Sequence, residues 1–236
     1  MGQPVRALKK TLRKEMGSLL NQIPLEKIEE ESAIVVEKVI SSQEYLSSTH
    51  ISVYLSMPKA EISTKSIIHD IFSKGKICYV PRWDGDSMEM VKLESLKDYT
   101  SLKINKWNIP EPDHDQNRDI ATQLDLIIMP GLAFDLNRNR LGHGKGYYDK
   151  YLTKCRQWSK PPLTTELSLD YTGHIPVLRH WTTGHSNPIW SSPVPLATGH
   201  MALALDSQIL RDKDIPVTDY DQKPDFILSP LQDISI

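Results

Sequence analysis

Short runs of β-branched and aromatic residues alternate with stretches of helical periodicity, and this alternation constrains the fold more than any other feature of the chain. Residues 51–55 (ISVYL), 76–80 (KICYV) and 124–129 (LDLIIM) read as buried strands, with 201–205 (MALAL) and 226–228 as later ones. Residues 88–93 (MEMVKL) alternate apolar and polar, as a half-buried strand does. Leu8, Leu12, Met16 and Leu19 repeat at helical spacing, and Val35, Val36 and Val39 mark a second helix over 28–40. Ile67, Ile68, Ile71 and Phe72 mark a third, with Ser63 or Thr64 placed to cap it and Gly75 to end it. A further helical pattern covers 147–155. Apolar strands separated by helices predict an α/β fold of three layers, a mainly parallel sheet with helices on both faces. The strand at 76–80 is expected to close at Pro81. Ligands of such sheets gather beyond the carboxyl ends of the strands, where Pro58, Glu61, Pro81, Arg82 and Pro130-Gly131 fall.

A chain of 236 residues can bury one sizeable core, and a single domain over 1–236 is expected. The formal net charge of −2 gives no whole-protein field towards nucleic acid or membrane, so any anion site must be a local cluster. No apolar run is long enough to cross a bilayer, and no signal-type segment follows the charged N-terminus. Gly2 lacks the Ser or Thr that myristoylation wants, because position 6 is Arg6. Cys78 and Cys155 form no framework and read as buried, reduced thiols. A cytoplasmic monomer without nucleic-acid or membrane partners is expected. Residues 158–200 break the periodicity and read as a long irregular insertion. Its His174, His180, His185 and His200 match no compact zinc spacing.

The sharpest constellation is the stretch Asn139 to Asp149 (NRLGHGKGYYD). Gly142, Gly144 and Gly146 let the backbone approach a ligand, and the helix beginning just after them offers its N-terminus to an anion. Arg140 and Lys145 supply charge for phosphate oxygens, and Asp149 can hold a metal that phosphates share. The pattern is neither a P-loop nor the dinucleotide fingerprint. Alone, such a loop is more often a turn than a cradle. Likewise, the Arg6, Lys9, Lys10, Arg13 and Lys14 stripe is more often a solvated helix face than a phosphate site.

In register, LSM…E at 55–61, GKICYVPRW at 75–83, WNIPEP at 107–112 and MPGLAFD…NRLGHGKGYYDKYL at 129–152 resemble the 5-formyltetrahydrofolate cyclo-ligase family, its animal members above all. The likeness runs from about residue 6 to 156 and resumes over 201–228. It implies ATP-dependent, Mg2+-assisted conversion of 5-formyltetrahydrofolate to 5,10-methenyltetrahydrofolate through a phosphorylated formyl group. It implies nucleotide contacts at Lys9, Lys10, Thr11, Leu12, Arg13 and Arg140, and folate contacts at Leu55 and Glu61. The loop His143, Gly144, Lys145, Gly146 and Tyr147 would close over substrate, with Lys145 and Arg140 taking the catalytic roles. Asp149 and Asp221 would be the metal ligands. Trp107 reads either as a stacking partner for the folate or as core. His143 departs from the Arg common in animal members, and the 57–61 spacing is one residue longer than usual. A second reading is a non-catalytic folate- or nucleotide-binding relative, whose 158–200 segment disturbs Asp221. A dinucleotide-dependent oxidoreductase lacks its fingerprint and ranks last.

Overall fold

The protein is described by a computed structural model covering residues 2–158 and 199–235. Helices α1 (Gly2–Leu20), α2 (Leu25–Ser41) and α3 (Gln43–Ser47) lead into strand β1 (His50–Val53). Then come α4 (Lys65–Ser73), β2 (Ile77–Asp84), β3 (Ser87–Leu93), α5 (Leu96–Thr100), β4 (Lys103–Ile104) and β5 (Pro110–Glu111). The second half holds β6 (Leu126–Met129), β7 (Ala133–Asp135), β8 (Arg140–Leu141), α6 (Tyr147–Cys155), β9 (Gly199–Leu203), β10 (Ile209–Leu210) and β11 (Phe226–Leu228).

The main sheet has the order β11-β9-β6-β1-β2-β3, and all neighbours run parallel except β2 and β3. Every residue of β6 is buried, as are Ile51, Ser52 and Val53 of β1, so both faces of the central sheet are covered. That double burial is why the sequence there shows apolar runs rather than alternation. Helices α2 and α4 pack on each other and reach β11 and β2, burying Val35, Val39, Ile67, Ile68 and Ile71 completely. From β1 the chain steps outwards to β2, whereas from β6 it steps the opposite way to β9 and β11. This reversal places a crevice beyond the carboxyl ends of β1 and β6.

Two aspartates set the register of the parallel strands. Asp125, just before β6, accepts the N–H groups of Thr49 and His50 through Oδ2, at 2.9 and 2.8 Å. Asp225, just before β11, accepts the His200 N–H at 2.8 Å in the same manner. Both thus fasten the amino end of one strand to its neighbour. His200 lies buried in β9, where burial and the Arg156 charge push its pKa down to about 4. Cys78 and Cys155 are both free and buried, and burial pushes each thiol up to about 12.

Three local expectations need correction. Strand β2 does not close at Pro81 but continues to Asp84. Pro81 faces Met90, whose carbonyl bonds Ala121 on the far side, so the proline nitrogen points to the side where β1 has no residue paired beyond Tyr79. Thr64 occupies the capping position of α4, but its hydroxyl donates to the Tyr54 carbonyl at 2.7 Å. At the 158–200 span, Gly199 and His200 open β9, and Trp158 packs edge-on to Tyr151 at 6.1 Å. The remainder of that span, including His174, His180 and His185, lies outside the described residues.

Gly131 stands two residues beyond the end of β6, and a Cβ there would come within 2.5 Å of the fully buried Phe134 ring. Gly131→Ala therefore forces a core ring to move, an overpacking cost of about 1–3 kcal/mol. Thermal denaturation should show a midpoint lower by roughly 3–10 °C; an unchanged midpoint would show that Phe134 relaxes freely.

Candidate active site

The cleft opens where β1 ends. Tyr54 and Leu55 are buried there, and the Tyr54 hydroxyl donates to the Ile62 carbonyl at 2.9 Å. This bond and the Thr64–Tyr54 bond fold the 55–64 loop back on the sheet. Ala60 bends through the left-handed region, at φ 68°, and Glu61 is left 7% exposed. The Met57 N–H donates to Glu61 Oε2 at 2.9 Å. Burial pushes the Glu61 carboxyl up to about 7 despite that bond, because an apolar setting disfavours the charged form.

Across the crevice, the β7–β8 hairpin returns the chain to the end of β6. Arg140 is buried, donating through Nη1 to the Pro130 carbonyl at 3.3 Å and through Nη2 to Asp149 Oδ1 at 3.0 Å. Its guanidinium lies 5.6 Å above the Tyr148 ring centre. Asp149 stands in the first turn of α6 and also accepts the Gln222 N–H at 3.1 Å. The neighbouring Asp221 receives Lys9 Nζ at 2.6 Å and the Thr218 hydroxyl at 2.8 Å. Arg13 Nε donates to the Gly142 carbonyl at 2.7 Å. Gly144, at φ 98°, leaves room for Arg13, since a Cβ would sit 3.2 Å from the guanidinium carbon. The contacts close a ring through Lys9, Asp221, Gln222, Asp149, Arg140, the glycine loop and Arg13.

Charge within the ring is finely opposed. Burial lowers the Arg13 pKa, while Asp221 works to raise it. Burial works to raise the Asp221 pKa, but the bonds from Lys9 and Thr218 prevail and hold it below 3.8. His143 is exposed at the loop, yet the protein packed around it and the charges of Arg13 and Arg140 hold its pKa below 6.5. At neutral pH it is an uncharged imidazole beside two cations.

Several residues singled out by sequence meet here and others do not. Lys9 and Arg13, one helical turn apart, face the ring, whereas Lys10 and Thr11 are exposed and Leu12 is core. Lys145 is exposed at the loop tip and has no partner among the described residues. The Tyr147 hydroxyl donates to the Gly85 carbonyl at 3.2 Å, and its ring tilts against Trp83 at 6.4 Å, drawing the β2–β3 tip over the loop. Trp107 is not core. It stands 61% exposed near the β4–β5 hairpin, with Lys106 Nζ 4.3 Å from its ring, and no described bond ties it to the ring of charges.

Sequence reasoning missed Thr218 and Gln222, which carry no motif, and Tyr148. Tyr148 was legible, because Tyr148, Tyr151, Leu152 and Cys155 form the buried stripe of α6 at helical spacing.

The family model described as 5-formyltetrahydrofolate cyclo-ligase family matches residues 5–181. This chain belongs to that family. It is 40% identical over 184 residues to the 5-formyltetrahydrofolate cyclo-ligase of Mus musculus, covering 75% of this chain and 90% of the mouse protein. It is 30% identical over 225 residues to the probable 5-formyltetrahydrofolate cyclo-ligase of Schizosaccharomyces pombe, covering 94% of this chain and 95% of the yeast protein. Its fold matches the Aquifex aeolicus 5,10-methenyltetrahydrofolate synthetase at a TM-score of 0.66 and 21% identity, over 97% of this chain and 92% of that one. The charged ring and Glu61 thus lie within the part of the chain shared with cyclo-ligases; the loop of Thr218 and Asp221 follows the span of the family model but falls within the Schizosaccharomyces pombe match.

Glu61 sets a pH test for the ligand-free protein. Its folded pKa of about 7 lies above the ordinary 4.5, so the stability it contributes is full below pH 4.5 and lost as pH rises through 7. The loss has a ceiling of about 3 kcal/mol. Glu61→Gln should match the wild type near pH 4.5 and melt several degrees higher at pH 8.5. A melting difference that does not change with pH would mean that Glu61 does not titrate in this range.

Proposed function

We propose that this chain catalyses the ATP-dependent cyclisation of 5-formyltetrahydrofolate to 5,10-methenyltetrahydrofolate through a phosphorylated formyl intermediate. The observation that carries the proposal is the closed ring of Lys9, Arg13 and Arg140 around the glycine loop, with buried Glu61 near Tyr148. One half of such a crevice suits phosphates and the other suits a flat, hydrogen-bonding head group.

In this reading the formyl oxygen attacks the γ-phosphorus and ADP leaves. N10 then attacks the formyl carbon and gives up its proton, the five-membered ring closes, and phosphate departs with the former formyl oxygen. The chemistry needs positioning and charge neutralisation rather than a protein nucleophile. Lys9, Arg13 and Arg140 neutralise the phosphates, and exposed Lys145 is free to reach the transferred group. Ionised Glu61 accepts hydrogen bonds from the pterin N–H groups, with Leu55 packed beside it and Trp107 offering an exposed aromatic face.

Asp149 Oδ2 carries no described hydrogen bond and suits Mg2+, whereas both Asp221 oxygens pair with Lys9, so Asp221 would have to release Lys9 to the phosphates to take its share of the ion. Among the described residues no group of three or more His, Cys, Asp or Glu could hold a metal, so phosphates and water would have to complete the ion's shell. Asp149 and Asp221 would hold it, and when bound it offsets phosphate charge. Asp149→Asn keeps the shape and an acceptor for Arg140. It should lower turnover about 10- to 100-fold at limiting Mg2+, with partial recovery in excess Mg2+. Full activity at limiting Mg2+ would remove Asp149 from the metal site.

The second reading, a binding relative without turnover, predicts a different result. Asp221 lies beyond the 159–198 span yet sits 2.6 Å from Lys9, which supports the enzyme. Purified protein mixed with 5-formyltetrahydrofolate and MgATP should form the methenyl product, followed by its absorbance, with one ADP per product. Binding of both ligands without product would establish the second reading instead.

A further inference from the structure

Tyr148 lies against Arg140 and near Glu61. The Tyr148 side chain is buried at 8% exposure, with its ring beneath the Arg140 guanidinium. Glu61 and Tyr148 interact electrostatically, so the hydroxyl end of the ring is near the carboxyl. Among the described residues Tyr148 Oη is buried and has no hydrogen-bond partner, and the same holds for Arg140 Nε. A buried polar atom left unpaired costs stability, so an orphaned hydroxyl beside a ligand crevice calls for a partner that arrives with the ligand. The hydroxyls of Ser52, Tyr151 and Ser207 are also buried without a hydrogen-bond partner among the described residues, whereas Tyr54 is satisfied by the Ile62 carbonyl. Tyr148 differs from them in lying against the Arg140 guanidinium with Glu61 close by.

We propose that Tyr148 is a substrate-contacting residue whose hydroxyl donates a hydrogen bond to a carbonyl oxygen at the junction of the pterin and its formyl group. This rests on the folate reading above. A neutral tyrosine is a donor, and that junction presents acceptor oxygens on the side of the folate that must approach the phosphates. Glu61, an acceptor when ionised, meets the N–H groups at the other edge. Tyr148 thereby sets how far the formyl group reaches towards the nucleotide. The ring itself holds Arg140 through its face, so the two roles of the side chain separate cleanly in a phenylalanine.

Tyr148→Phe removes only the orphaned hydroxyl. Equilibrium binding of 5-formyltetrahydrofolate without nucleotide should weaken about 3- to 10-fold, the effect of one lost neutral hydrogen bond. Affinity for MgATP should stay the same, and the melting midpoint of the ligand-free protein should hold or rise. Wild-type affinity for 5-formyltetrahydrofolate in the variant would overturn the assignment. So would a lowered midpoint or a matching loss of MgATP affinity, because either would give the hydroxyl a structural role. If the wild type itself fails to bind 5-formyltetrahydrofolate, the folate reading falls together with this inference.

Discussion

Lys9 and Asp221 are 212 residues apart in sequence and 2.6 Å apart in space, and the architecture of the crevice depends on that ion pair and its counterpart, Arg140 with Asp149. Each pair sets a cation of one element against a carboxylate of another. Together they tie helix α1, the glycine loop, the start of α6 and the C-terminal loop into one rim. Such pairs are poor sources of net stability, since desolvation consumes much of the Coulombic gain. Their consequence is order. Removing either partner strands a charge, whereas in the proposed reaction an arriving phosphate and metal ion would satisfy both cations and both carboxylates in a new arrangement.

The sheet beneath supplies the rigidity this arrangement needs. Asp125 and Asp225 fasten the amino ends of β1 with β6 and of β9 with β11, so the carboxyl ends emerge in fixed relation. Leu55 and Pro130-Gly131 therefore face each other across the point where the chain reverses its direction of winding. A site built on strand ends keeps its geometry better than one built on loops alone. The glycine loop needs that support, because Gly144 and Gly146 both adopt positive φ and Gly142 lies against the Arg140 guanidinium.

The central strands were legible because both faces are buried, which leaves uninterrupted apolar runs such as LIIM at 126–129. Edge strand β3 was legible for the opposite reason, its half-exposure producing alternation. The two-residue strands β4, β5, β8 and β10 were not, since so short a run has no period to detect. The end of β2 was misjudged because a proline breaks a strand only where its N–H is needed, and that depends on where β1 stops. At the site, the glycine spacing and its basic flank were readable, and so was Asp149. The pairing of Lys9 with Asp221 and of Gln222 with Asp149 was not, because contacts over such separations leave no local pattern. Trp107 shows the limit of composition: its exposure came from hairpin geometry, not from residue type.

The proposed reaction requires direct transfer between the two halves of one crevice, with the formyl oxygen as nucleophile towards the γ-phosphorus. Turnover of 5-formyltetrahydrofolate carrying 18O in its formyl group tests that most directly. The oxygen should be recovered in inorganic phosphate, one labelled atom per methenyl product. Labelled oxygen found in water, with unlabelled phosphate, would contradict the account, because ATP would then be hydrolysed without ever touching the formyl group.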